Sequence, residues 1–421
     1  MKNISYSNLK SLIFHKEVLN FINYYVFTII NAAIGIFSIS YLTKHILPEE
    51  YGMIGIFSSI LYFVPSLISF SANGLQAIEI VSLENKDYLV FRNSYISFVI
   101  LTSSFCFVIA GITAFFIKDF SFVIIMATLM GFVLTLSTIH NTELIQYSQP
   151  TRFGLISSAT VLFGFLLTVV FITVFKLDWK FRIIAMIVSE FIILVLRFYV
   201  FSSIGFVFKF CFNKVQFKYL FYYGAPLMLS VVAGWVLNQS DRYFLLNYFS
   251  LKEVGLYAAA ASIASVIVMI NANMIKVVYP IVYKKLSKGI GRKFILKVTA
   301  LYSILIIVIA IAFCMGIYFF GHLFLGEKYL AALPIIYIMC FAQSFFGIYT
   351  TTGLVIDYFK KTKLKTVLVV ICAVLVILLS FLFIPVIGVY GPAVALLISF
   401  ALLSLLSFFI SKKLFIRYNI L

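Results

Sequence analysis

Apolar runs of about 20 residues, enough for one helix to cross a bilayer, recur along this chain between short polar or basic stretches. Twelve such runs fall near 18–41, 51–72, 94–116, 120–140, 153–175, 181–204, 219–240, 254–279, 294–320, 332–356, 366–385 and 391–411. Gly and Pro mark several ends, as at Pro48, Pro150, Pro280 and Pro392. The pattern predicts an all-α integral membrane protein with about twelve transmembrane helices.

Composition decides which solvent these helices meet. Of 421 residues, 63% are hydrophobic and 11% charged, with a mean hydropathy of +1.13. A soluble domain carries about 25% charged residues, so too few remain here to cover a water-facing surface. No cleavable signal is expected, because the first seventeen residues are polar and basic and the next run already spans. The five cysteines (Cys106, Cys211, Cys314, Cys340 and Cys372) are odd in number and scattered, which argues against a disulfide framework or a zinc site.

The net charge of +18 reads as topology. With the N-terminus inside, 24 of the 32 Lys and Arg residues fall on the cytoplasmic side, led by seven between Lys276 and Lys297. Both termini are then cytoplasmic. No loop exceeds about twenty residues, the length of a single span, so no soluble domain hangs from either face. "GFVFKFCFNKVQFK" (205–218) divides a six-helix bundle at 1–204 from a second at 219–421. A shift of 203 lays "LPEEYGMIGIFSSI" (47–60) on "SLKEVGLYAAAASI" (250–263), with Glu50 on Glu253, Gly52 on Gly255 and Ser59 on Ser262. Two bundles related by a pseudo-two-fold around a central path are a transporter plan.

Enzyme signatures are absent. There is no GxxxxGK[ST] phosphate loop and no HExxH, and His15, His45, His140 and His322 are far apart, mostly at span ends. The reading is a secondary transporter with no catalytic residue, cofactor or metal. Its candidate chemistry lies in polar residues inside spans, which are costly in lipid and usually face a bundle interior or a wet path. Tyr24, Thr28, Asn31, Gly35 and Ser38 share one face of the first span. Pro226, Ser230, Gly234, Asn238 and Asp241 line a face of the seventh, and Ser262, Ser265, Met269, Asn273 and Lys276 one of the eighth. Glu190 and Arg197, seven apart, share a side of the sixth. Small and polar residues also serve close helix packing, so both roles stay open for the Ser and Gly positions. In "NQSDRYFLL" (238–246), neighbours on a helix do not face one another, so Asp241 is expected inward and Arg242 to seek another carboxylate or the interface. "ILPEEYG" needs no ligand: proline and two acids suit a helix start.

"LPEEYGMIGIFSSI" (47–60), "YYGAPLMLSVVAGWVLNQSDRYFLLNYFSLKEVGLYAAAASI" (222–263), "LGEKYLAALPIIYIM" (325–339) and "VIGVYGPAVALLISF" (386–400), in that order, resemble the Wzx-type O-antigen or polysaccharide flippases of the MATE-like multidrug/oligosaccharidyl-lipid/polysaccharide exporter superfamily. The resemblance implies two six-helix bundles enclosing a cationic cavity in the bacterial inner membrane. It implies alternating access that moves an undecaprenyl-diphosphate-linked oligosaccharide outward, coupled to a proton or sodium ion, beside a polysaccharide polymerase and a chain-length regulator. Asn31, Arg197, Asn238, Arg242, Asn273 and Lys276 then become candidates for the substrate path, and Glu190 and Asp241 for coupling. The family often has a basic residue ending the first span; Lys44, slightly late, is the candidate here. A MATE-type drug exporter and a membrane polysaccharide polymerase or ligase are the alternatives.

Overall fold

The computed structural model describes residues 6–203, 208–286 and 292–417, with side chains omitted at 6–22, 24, 200–203, 292, 362 and 417. The side chains of Tyr24, Lys10 and Lys16, with Lys2 and part of the expected linker, therefore lie outside what is described. The chain is helical: α1 (Tyr6–His45), α2 (Pro48–Ser69), α3 (Asn73–Ser82), α4 (Asn85–Phe116), α5 (Ser121–Gln146), α6 (Pro150–Val169) and α7 (Lys180–Ser203) are followed by α8 (Lys214–Gln239), α9 (Asp241–Tyr248), α10 (Leu251–Leu286), α11 (Arg292–Phe324), α12 (Leu333–Tyr358), α13 (Thr362–Ile387) and α14 (Gly391–Arg417). No strand occurs among the described residues. Among the described residues, ten stretches are long and apolar enough to cross a membrane. One of them, Lys363–Ile416, holds both α13 and α14; with α7 added, membrane-length helices match the twelve expected runs. The pattern missed the short helices α3 and α9, whose polar residues read as loop.

Two compact units emerge. One takes in the chain up to Ser38 together with Ile60–Leu229, and the other holds Ile39–Ser59 with Ser230–Leu421. In the first, α4 packs on α5 and α6 on α7, around a core that includes Tyr88, Phe91, Tyr95, Val133 and Ile139. In the second, α12 is central and packs on α10, α11 and α14. Large apolar side chains such as Phe115, Phe116, Leu229 and Val386 remain exposed, as lipid-facing helices require.

The second unit contains the repeat found in the sequence. The Leu47 amide donates to Glu50 Oε2 at 2.8 Å, and the Ser250 amide to Glu253 Oε2 at 3.2 Å. These are the same capping contact at α2 and at α10, displaced by 203 residues, and each satisfies an amide that a helix start leaves open. The two helices then cross at their matching glycines. A Cβ on Gly52 would strike the Leu251 carbonyl and one on Gly255 the Pro48 carbonyl, so neither position admits a side chain without backbone movement. Ala258 closes on Gly55 one turn further along. The acids of "ILPEEYG" thus have the helix-start role expected of them.

Candidate functional site

The polar face of α8 ends where the helix breaks. Asn238 turns its amide back to the Gly234 carbonyl at 2.8 Å, Ser240 forms a one-residue interruption, and α9 starts at Asp241. Both Asp241 and Arg242 are buried. Contrary to the expectation for adjacent residues, they are paired: Asp241 Oδ1 accepts from the Arg242 amide at 2.9 Å and lies 3.4 Å from its Nη1. The rule against neighbour contacts holds inside a continuous helix. At a helix start the first carboxylate can fold over the free amide beside it, and the guanidinium follows. Arg242 Nη1 also donates to Gln239 Oε1 at 2.6 Å and to the Asn238 carbonyl at 3.3 Å. Asp241 lies beyond the last residue of the Lys214–Gln239 span. Burial pushes its carboxyl above the usual range, and the Arg242 charge opposes that rise.

On α10, Lys276 is exposed and its Nζ lies 3.4 Å from Asn273 Oδ1. Asn271, which the sequence reading passed over, is buried deeper: the Tyr302 hydroxyl donates to its Oδ1, and Gly347 packs against its amide. Asn238, Asp241 and Arg242 thus form one group in this unit, and Asn273 with Lys276 another.

In the first unit, Asn31 donates to Ser157 Oγ at 3.2 Å. Glu190 and Arg197 are both buried, as their shared helix side predicts. Arg197 Nη1 donates to the Ser137 carbonyl at 3.0 Å and to Asn141 Oδ1 at 2.6 Å, both on α5. Glu190 makes no hydrogen bond among the described residues; its charge acts on Arg197 through the space between them.

The same unit holds a polar centre that sequence reasoning missed. Arg92 on α4 reaches Glu143 on α5, with Nε 2.6 Å from Oε1 and both side chains fully buried. Tyr88 donates to the same oxygen at 2.8 Å. His140 sits 3.1 Å from Arg92 Nη2 through Nε2 and 3.0 Å from the Leu136 carbonyl through Nδ1. A guanidinium only donates and a carbonyl only accepts, so the ring is the neutral tautomer with its proton on Nδ1. Gln76 on α3 donates to the Tyr88 hydroxyl and to the Ile139 carbonyl, both at 3.1 Å. Arg92 looked like a loop residue and His140 like an interfacial one. The signal available was the spacing of Tyr88 and Arg92, and of His140 with Glu143, each on one helix face.

Comparison with known proteins adds the family. A family model described as "Polysaccharide biosynthesis protein" matches residues 42–334. The chain belongs to that family. Its membership embraces the α2–α10 crossing and the buried Arg242, both inside the matched span. An uncharacterized membrane protein of Haemophilus influenzae is 29% identical over 156 residues, which is 35% of this chain and 38% of that relative. The chain thus aligns with little more than a third of the length of that curated relative.

Among solved structures, a multidrug resistance MATE family transporter of the MOP superfamily, in an inward-facing conformation, has a TM-score of 0.69 at 13% identity, covering 93% of this chain and 99% of its own. Lipid II flippase MurJ, in an inward closed conformation, has 0.65 at 14% identity, covering 93% and 87%. The MATE multidrug transporter DinF-BH has 0.62 at 14% identity, covering 99% and 97%. This member of the polysaccharide biosynthesis family therefore has the MATE and MurJ fold, as the motif resemblance implied.

Proposed function

We propose that this chain is a flippase that carries an undecaprenyl-diphosphate-linked oligosaccharide, an O-antigen or capsule repeat unit, across the bacterial inner membrane by alternating access. The observation that carries the reading is a buried Arg242, held on a short helix by one carboxylate and two amide oxygens, in a chain of the polysaccharide biosynthesis family. A guanidinium taken out of water and given only one acidic partner keeps donors for an anion. A lipid diphosphate is such an anion. The fold shared with a lipid II flippase supports the same reading.

In this scheme Asn31, Arg197, Asn238, Arg242, Asn273 and Lys276 contribute to the path of the head group. Glu190 and Asp241 carry the coupling of transport to a proton or sodium gradient. Residues 1–204 and 219–421 are the two six-helix halves, 205–218 joins them, and both termini are cytoplasmic. A polymerase and a chain-length regulator receive the product on the far side.

The test is deletion of the gene, followed by analysis of surface polysaccharide and of lipid-linked repeat units. Loss of the polymer with lipid-linked units trapped on the cytoplasmic face fits a flippase. Exported single units without polymer would point to a polymerase or ligase. Intact polysaccharide with new drug sensitivity would point to a cation-coupled exporter of the MATE type, which the fold also accommodates. Reporter fusions should place Lys218 and Lys297 in the cytoplasm and Glu253 outside; a periplasmic signal at Lys297 would overturn the orientation.

A further inference from the structure

Lys44, the basic residue that ends the first span, takes no part in the contacts around Arg242, yet it is not isolated. A cavity of about 390 Å³ opens where the end of α1 meets the end of α11, and Lys44, His45, His322, Glu327 and Lys328 line it. All five are exposed, and neither lysine pairs with a carboxylate among the described residues. Two lysines and two imidazoles thus share one concave surface with a single carboxylate. With two lysines against one carboxylate, the surface favours an anion over a cation.

The surface is built on a fixed base. Gly326 lies so close to Thr43 that a Cβ would strike the Thr43 carbonyl, and its amide donates to Thr43 Oγ1 at 3.3 Å. Tyr329, buried one turn on, donates to the Ile46 carbonyl at 3.3 Å and packs edge-on against Tyr51. These contacts hold the 326–329 segment against the α1–α2 corner and bring together lysines 284 residues apart in sequence. His45 is fixed as well, stacked on Tyr41 with its Nδ1 2.8 Å from the Tyr41 carbonyl. Beside the basic lining, Leu47, Leu323 and Phe324 present exposed apolar side chains.

We infer that this cavity binds the phosphate-bearing head group of a membrane lipid, with Lys44 and Lys328 as the charge contacts and the adjacent apolar side chains against its chains. Lysine binds phosphate as a point charge, and an exposed apolar rim selects an amphiphile over a soluble ion. Under the N-in orientation this is the exit face, where only eight of the 32 basic residues lie, and two of the eight converge here. The site stands apart from Arg242 and does not require the flippase reading.

The experiment uses the full chain in maltoside micelles and follows hydrogen–deuterium exchange at 43–47 and 325–329. The probes are farnesyl diphosphate, dihexanoyl-phosphatidylglycerol and inorganic pyrophosphate. Protection of both segments by at least one of the two lipids, but not by pyrophosphate at equal concentration, is expected. The variant K44Q/K328Q should need about tenfold more lipid for the same protection, the scale of two solvent-exposed charge contacts. E327Q, which removes the competing charge, should need less. Equal protection by pyrophosphate would make the site one for soluble phosphate and overturn the lipid assignment. No protection by any probe, or none of these shifts in the variants, would remove the site altogether. A deletion strain with normal polysaccharide would end the flippase reading without touching either result.

Discussion

Arg92 in the first unit crosses from α4 to meet a carboxylate on α5 at 2.6 Å, whereas Arg242 in the second folds onto its own neighbour at 3.4 Å. Both pairs are buried, but they are assembled differently. Around Arg92, the Glu143 oxygen also takes the Tyr88 hydroxyl, His140 accepts from the guanidinium, and Gln76 ties α3 to the group. Three helices are fastened by one charge pair, amid the apolar core that contains Tyr88, Phe91 and Tyr95. Around Arg242, the partners come from residues 238, 239 and 241, one to four positions away. The guanidinium itself makes no hydrogen bond to another helix among the described residues, and Tyr257 on α10 reaches only the Asp241 carboxylate. A network that spans elements holds structure; one confined to a single helix junction sets the direction of a side chain. The difference fits Arg92 to assembly and is compatible with the substrate role proposed for Arg242.

The largest effect should come from breaking the assembled pair on one side only. Glu143→Ala leaves the Arg92 charge fully buried and should lower stability by about 3–5 kcal/mol. Thermal unfolding in detergent and membrane abundance would both report it. Replacing the pair together, Arg92→Met with Glu143→Leu, should recover much of the loss, because uncharged side chains of similar volume need no partner. A destabilised double variant and a stable single one would reverse the assignment.

Arg197→Ala should follow at about 1.5–3 kcal/mol, the range for hydrogen bonds made by a charged donor, since its contacts to Ser137 and Asn141 join α7 to α5. The same unfolding measurement checks it. Arg242→Ala should instead leave abundance near normal and cut surface polysaccharide about tenfold in a complemented deletion strain, equivalent to one charge-assisted contact. Arg242→Lys should restore part of the activity, because an ammonium keeps the charge without the planar fork. A loss of abundance equal to the loss of polysaccharide would move Arg242 into the structural class with Arg92.

The twelve apolar runs were legible in the sequence because lipid imposes one requirement, a helix of fixed minimum length, on every span. The capping contacts at Glu50 and Glu253 were equally legible, since each depends on residues three positions apart. What stayed hidden required partners far along the chain. Arg92 and Glu143 are 51 residues apart, and no local spacing ties α4 to α5. Tyr88 and Arg92 share a face, but one Lys or Arg in a polar stretch reads first as an orientation signal. The Asp241–Arg242 contact was misread for the opposite reason: it is local, but it depends on a break at Ser240 that apolar periodicity does not reveal. Lys44 and Lys328 were each visible and their convergence was not.

The smallest effect should come from Asp241→Asn, and it discriminates most finely between the two classes of pair. Arg242 would keep Gln239 Oε1 and the Asn238 carbonyl, so its position should hold. Stability should change by less than about 1 kcal/mol, as for a substitution that leaves no buried charge without acceptors. The sign with pH follows from burial, which raises the Asp241 carboxyl above the usual range. A group raised in the folded state favours folding when protonated, and that advantage is lost as pH climbs through its folded value. Asparagine resembles the protonated form at every pH, so the variant should gain relative to the native protein as pH rises from acid towards neutral. Transport offers the sharper readout. A carboxylate that carries protons gives export a pH dependence that Asp241→Asn flattens, whereas one that only steadies Arg242 leaves the profile's shape unchanged and lowers its height. Superimposable profiles in the complemented deletion strain, with equal membrane abundance, would withdraw Asp241 from coupling and leave Glu190 as the remaining candidate.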